Sequence, residues 1–202
     1  MKIARVETLI SRGSFANSTE WCEIRSVLHQ SITAVVWTPG NAFFADHPQG
    51  DNKLREGNGI KHIEKQCMER LRSVGWTDER PLPFVPQLAC RDMYAIFQAT
   101  SGTVAMKLGV GSNSSSHHVL NTMAIGLMQG SLISASLVIP SSDLSKSLAN
   151  GIGSFHEIEP YLDFWRTIPC QDGVFEIIVI EQAPKSPTTL RISKESDGRV
   201  NA

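Results

Sequence analysis

The residues of this chain best placed to do chemistry sit between Gly102 and Pro140, in GTVAMKLGVGSNSSSHHVLNTMAIGLMQGSLISASLVIP. Ser114, Ser115 and Ser116 open a predicted helix, where free backbone N–H groups and the helix dipole favour a phosphate. A helix cap needs only one of these serines. Three in a row, followed by His117 and His118, also fit a contact to a nucleic-acid backbone. The adjacent histidines point to different sides of a helix, so they do not readily share a metal. Ser141, Ser142 and Asp143 follow an apolar run, and short polar side chains there either cap the next helix or read base edges. No acidic side chain occurs anywhere in the segment from Gly102 to Pro140.

Outside it, Asp92 is a candidate metal ligand, a salt-bridge partner for Lys107, or a plain surface acid. Glu176 and Glu181 are further acids that could join Asp92 at a metal. Glu157 and Glu159 alternate with Ile158 and Tyr161 and read as framework. Lys185, Arg191, Lys194 and Arg199 make the end of the chain basic, which fits a solvated tail or an arm on phosphates. Cys22, Cys67, Cys90 and Cys170 are spread without a C-x-x-C pair, which argues against zinc and fits reduced thiols in a cytoplasmic protein. Cys67 lies on the apolar face of a predicted helix and reads as a small core residue.

The elements that must position these groups follow from periodicity. Residues 1–10 read as a first strand or helix. Asn17 with Glu20 resembles a capping box, after which Trp21, Ile24, Val27, Leu28, Ile32 and Val35 recur at helical spacing over 18–36. Residues 38–58 are loop-like. A second helix carries Ile60, Ile63, Cys67, Leu71 and Val74 on one face, with Gly75 at its C′ position. PLPFVPQLAC is extended and irregular, because its prolines fix φ and remove donors. Strands are expected at 92–98, 103–108, 132–139 and 174–180, and a helix at about 116–129 with Leu120, Met123, Ala124 and Leu127 inward. The uncharged 132–139 strand belongs in the middle of a sheet. Ser142 or Asp143 is expected to cap a short helix carrying Leu144 and Leu148.

Bulk properties exclude several classes. With 202 residues, 41% hydrophobic and 19% charged, the chain is an ordinary globular α/β sequence with one core. We expect a single domain over 1–202, with 183–202 as a basic tail. A net charge of −1 excludes a histone-like field of positive charge. No apolar stretch is long enough to cross a membrane, and the first residues are expected to form a strand or helix rather than a signal peptide.

Several phrases, taken in order, resemble the BglII/BamHI-type group of restriction endonucleases within the PD-(D/E)xK nuclease superfamily. They are VETLISRGSF with Ala16–Trp21, GNGIKHIEK at Gly57–Lys65, Gly75–Trp76, SSSHHVLNTMAIGL at Ser114–Leu127, IGSFHEIEPYLDFW at Ile152–Trp165 and ISKESDGR at Ile192–Arg199. The resemblance implies a restriction-endonuclease-like core, a mixed central sheet flanked by helices. It also implies an Asp on one strand and a Glu-x-Glu or Glu-x-Gln pair on the next, holding Mg²⁺ over a scissile phosphate.

Aligned on Ser114–His117, the acid pair falls on Lys107 and Gly109, and the upstream Asp on Asp92. The Thr-Gly-Asn that commonly follows becomes Val110-Gly111-Ser112. Asn150-Gly151, Ser154 and Glu181-Gln182-Ala183 stand where the group tends to carry Asp-Arg, Asn and Glu-His-Asp. Leu120, Leu127, Pro160, Tyr161 and Trp165 match the apolar framework.

A framework kept and polar positions lost is the pattern of a pseudo-nuclease. The leading expectation is a protein that binds double-stranded DNA without cleaving it, with no cofactor and with a homodimer matching the two-fold of palindromic sites. In the resembling enzymes the loop at Ser141–Asp143 lies in the major groove. A second expectation is an interaction subunit of a nucleoprotein or phage-defence complex. A third is an active type II restriction endonuclease using Mg²⁺, with Asp92 as one ligand.

Overall fold

The computed structural model describes residues 1–36, 61–79, 94–109, 113–148 and 152–183. Six strands, β1 Lys2–Arg12, β2 Thr77–Glu79, β3 Tyr94–Ala99, β4 Gly102–Leu108, β5 Ser134–Pro140 and β6 Gly173–Glu181, form one sheet in the order β1-β6-β5-β4-β3-β2. The pairs β4–β5 and β5–β6 are parallel, and β1–β6, β2–β3 and β3–β4 are antiparallel. The expected α/β class with a mixed sheet is therefore the one observed. β5 is interior, and all seven of its residues are buried, as its lack of charge requires.

Helices α1 Thr19–Thr33, α2 Lys61–Arg72 and α4 Ser142–Ser147 cover one face, and α3 Asn113–Met128, α5 Phe155–Ile158 and α6 Leu162–Arg166 the other. Strand alternation feeds both layers. Ala135, Leu137 and Ile139 of β5 meet Leu120, Met123 and Leu127 of α3, while Val138 meets the layer containing Leu28, Ile32 and Leu144. Trp165 Nε1 donates to Asn121 Oδ1 at 3.1 Å and fixes α6 on α3.

Local signals hold with three corrections. The cap of α1 is Ser18, whose hydroxyl accepts from Trp21 N at 3.0 Å, rather than Asn17. Glu20 is drawn instead to the β3–β4 turn, accepting from Thr100 N at 2.6 Å and Ser101 Oγ at 2.7 Å. That tertiary pair of donors outcompetes a local box. The cap of α4 is Ser141, accepting from Leu144 N at 3.3 Å, rather than Ser142 or Asp143. Helix α3 begins at Asn113, three residues before the expected start. The end of α2 matches expectation: Gly75 N bonds Arg72 O at 3.2 Å and Trp76 N bonds Leu71 O at 3.1 Å, a Schellman closure. The predicted loop at 38–58, the proline-rich stretch and the tail from 184 lie outside the described residues.

Candidate functional site

Parallel strands direct their carboxyl ends to one edge, which is where open α/β sheets bind ligands. Here Leu108 is in register with Val138, and Pro140 with Ile180. The end of β4 and the Ser141–Asp143 turn therefore share that edge. Gly109 N continues the ladder by bonding Val138 O at 3.1 Å.

Lys107, opposite Leu137 in this register, is 9% exposed. Its Nζ lies 3.8 Å from Glu64 Oε1, with side chains 10% and 32% exposed. Glu64 belongs to the first turn of α2. This partner was missed in the sequence, although a signal was present. Glu64 stands four residues after Ile60 and three before Cys67, on the border of the apolar face, where a charge needs a counter-charge. Gly109 has φ +70°, a left-handed conformation that a side-chain-bearing residue adopts only with strain.

Among the described residues, those at the end of β4 do not supply the several hard oxygens that a divalent cation such as Mg²⁺ requires. The strand presents an ammonium at 107 and no side chain at 109, and an ammonium repels a metal. Among the described residues no group of three His, Cys, Asp or Glu side chains could hold a metal ion. Asp92, and with it the expected pairing with Lys107 or a metal, lies outside the described residues.

The other expected residues separate. Ser116 is fully buried. His117 stacks on Trp165 at 5.6 Å and 25° and meets Tyr161 edge-on at 5.0 Å, so its ring is held by the α5–α6 layer. The side chains of Ser114 and Ser115 lie outside the described set, as do Lys185, Arg191, Lys194 and Arg199. The Ser141 hydroxyl is engaged in capping, Ser142 is half-buried, and Asp143 is exposed with Lys146 Nζ at 3.3 Å. Glu157 accepts from Ser154 N at 3.3 Å and Glu159 pairs with Arg5 at 2.8 Å, the framework roles read from their spacing.

Glu176, considered above as a metal ligand, is fully buried on β6. Its Oε2 faces Arg25 Nε of α1 at 3.1 Å, an ion pair whose angle falls outside hydrogen-bond alignment, and its Oε1 accepts from Ser136 Oγ at 3.3 Å. Burial pushes its carboxyl above the usual range, while Arg25 and Ser136 pull it back. Glu181 pairs with Lys2 at 2.8 Å on the β1–β6 ladder. Both acids have structural partners. The Cys67 thiol is buried and pushed up to about 12 by desolvation, consistent with an inert core residue.

Residues 1–199 match a family model described as restriction endonuclease BamHI. The chain is 32% identical over 200 residues to the type II restriction enzyme OkrAI of Oceanobacter kriegii, covering 99% of both chains. It is 26% identical over 140 residues to the type II restriction enzyme BamHI of Bacillus amyloliquefaciens, covering 66% of this chain and 64% of that one. The crystal structure of free BglII superposes with a TM-score of 0.53 at 10% identity, over 92% of this chain and 82% of that one. This last likeness bears on the fold. No helix among the described residues is long and apolar enough to cross a membrane.

Proposed function

We propose, for a chain that belongs to the BamHI family of restriction endonucleases, that it binds double-stranded DNA at the carboxyl edge of β4 and β5 without cutting it. One observation supports this reading most: Lys107, 3.8 Å from Glu64, stands near the end of β4, where the family resemblance puts a metal-binding carboxylate of a cleaving enzyme. Catalysis of phosphodiester hydrolysis needs an activated water and charge stabilisation at the scissile phosphate. A single ammonium supplies charge and no activated water. In this reading Lys107 and the Ser141–Asp143 turn face the duplex, and the basic residues Lys185, Arg191, Lys194 and Arg199 contact phosphates.

The reading includes a single domain over 1–202, a cytoplasmic setting, a role in phage defence and pairing with a second copy. For that pairing, exposed Tyr161 and Phe164, 55% and 65% accessible, offer an aromatic surface.

A second reading, an active Mg²⁺-dependent type II restriction endonuclease, is favoured by the full-length likeness to a protein named as such. One assay separates the two: purified protein with a mixed duplex DNA pool, with and without Mg²⁺, over a salt series. Binding that weakens with salt and yields no cleavage supports the first reading. Mg²⁺-dependent cutting overturns it in favour of the second. Neither binding nor cutting turns the search to a nucleoprotein partner.

A further inference from the structure

We propose that the cavity at the amino ends of β4, β5 and β6 binds a small organic monoanion, a carboxylate carried on an apolar body, with the Arg12 guanidinium as its counter-charge. The site lies at the opposite edge of the sheet from the Ser141–Asp143 turn, so it is independent of the DNA-binding reading above.

Topology gathers several chain turns at this edge. β4 starts at Gly102, β5 at Ser134 and β6 at Gly173, and antiparallel β1 ends beside them, with Arg12 in register with Gly173. The β3–β4 turn, the stretch after α3, the loop before β6 and the end of β1 enclose a cavity of about 820 Å³. That volume suits a small molecule rather than a single ion. Glycine helps keep it open: Gly130, on its wall, has φ +69°, where a side chain is strained, and an added Cβ would meet nothing within 4 Å.

The lining selects the ligand. Leu127, Met128, Ile133 and Pro169 give it apolar surface, and Met128 is 51% exposed, an adaptable thioether that an apolar body would cover. Arg12 supplies the charge. Arg5, Arg25, Arg72 and Arg166 each pair with a carboxylate. Among the described residues Arg12 pairs with none, and its Nη1 donates to Cys170 O at 3.4 Å, beyond the roughly 2.7–3.2 Å of an ordinary N–H···O bond. Asp172, on the same lining, is engaged elsewhere, accepting from Ser14 Oγ at 2.9 Å and Phe15 N at 3.0 Å. Ser101 is likewise committed, donating to Glu20 at 2.7 Å. The guanidinium fork is thus left for an incoming carboxylate, whose two oxygens it matches. The Asp172 charge repels a second negative charge, which favours a monoanion over a phosphate dianion.

The test titrates the full chain with naphthoate, and with naphthalenemethanol as its uncharged counterpart, following amide ¹H–¹⁵N shifts that report affinity and location together. The amides of Gly102, Gly130 and Gln171 should move, and those of Val138 and Leu144 at the other edge should not. Naphthoate should bind about tenfold more tightly than the alcohol, the worth of one charge-assisted pair. Arg12→Gln should erase that preference while leaving the alcohol's affinity unchanged, and Arg12→Lys should retain part of it. Met128→Ala should weaken acid and alcohol by similar factors. Should the Arg12→Gln spectrum prove unfolded, the acid–alcohol comparison and the location of the shifts in the unaltered protein decide. Equal affinity for acid and alcohol, shifts centred away from this cavity, or undiminished naphthoate binding in a folded Arg12→Gln overturns the proposal. So does the absence of any shift at the solubility limit of naphthoate.

Discussion

Replacing Arg25 with Met leaves the buried Glu176 carboxylate without its cation, and the resulting loss of stability should depend on pH in a specific sense. Glu176 is fully buried, with Ser136 as its remaining partner. Removing one member of a fully buried pair costs about 3–5 kcal/mol. The Arg25 side chain is 37% exposed, so solvent already screens part of this interaction. We therefore expect a loss of about 2–3 kcal/mol at pH 8, or roughly 5–10 °C in Tm for a chain of this size.

The pH dependence follows from the raised carboxyl. Between the ordinary carboxylate range and the higher folded value, the folded state holds a proton that the unfolded state has released. Stability accordingly falls as pH rises through that window. Without Arg25 the folded value rises further and the window widens upward. The deficit of Arg25→Met should thus be largest at pH 8 and shrink as pH falls through the raised folded value, where the carboxyl takes up a proton. Arg25→Met/Glu176→Gln should recover most of the loss, since an amide carries no charge to strand. Denaturant melts at pH 4.5, 6 and 8 decide. A pH-independent deficit, or a double variant as unstable as the single one, would refute the reasoning that Glu176 is the stranded charge.

Two further outcomes are expected. Lys107→Glu/Gly109→Glu places two carboxylates beside Glu64 and should create a Mg²⁺ site that the parent lacks; at about ten times its Kd the ion should add about 1.4 kcal/mol in a thermal melt. The left-handed Gly109 takes about 1–2 kcal/mol of that variant's starting stability, and no response to Mg²⁺ would sink the register placed on this strand. Gly13→Ala should destabilise by at least about 1–2 kcal/mol in urea melts, because Gly13 has φ +75° and an added Cβ would lie 2.4 Å from Asp172 Oδ1 and 2.8 Å from its Cα. Asp172 also accepts from Ser14 Oγ and Phe15 N, so yielding would cost those bonds, and an unchanged midpoint would contradict the close approach.

What was legible in the sequence was whatever local pattern specifies. The uncharged run in β5 announced an interior strand, helical spacing located α1 and α2, and the Gly75–Trp76 pair marked where α2 closes. The order of motifs marked the family, and with it a Lys at 107 and a Gly at 109 where the resemblance leads one to expect acids. Tertiary structure decided the partners. Glu20 looked like half of a capping box until the β3–β4 turn supplied better donors. His117 gave no sign along the chain that α6 would bring Trp165 against its ring. Glu176 looked like a spare metal ligand until α1 brought Arg25 to it across the sheet. Glu64 drew no attention along the chain, because 43 positions separate it from Lys107 and only the packing of α2 near the end of β4 closes that gap. Periodicity reports which face of an element is buried, and it carries no record of which distant charge will meet that face. A carboxylate's role depends on the nearest cation, and that neighbour exists only once the layers have packed.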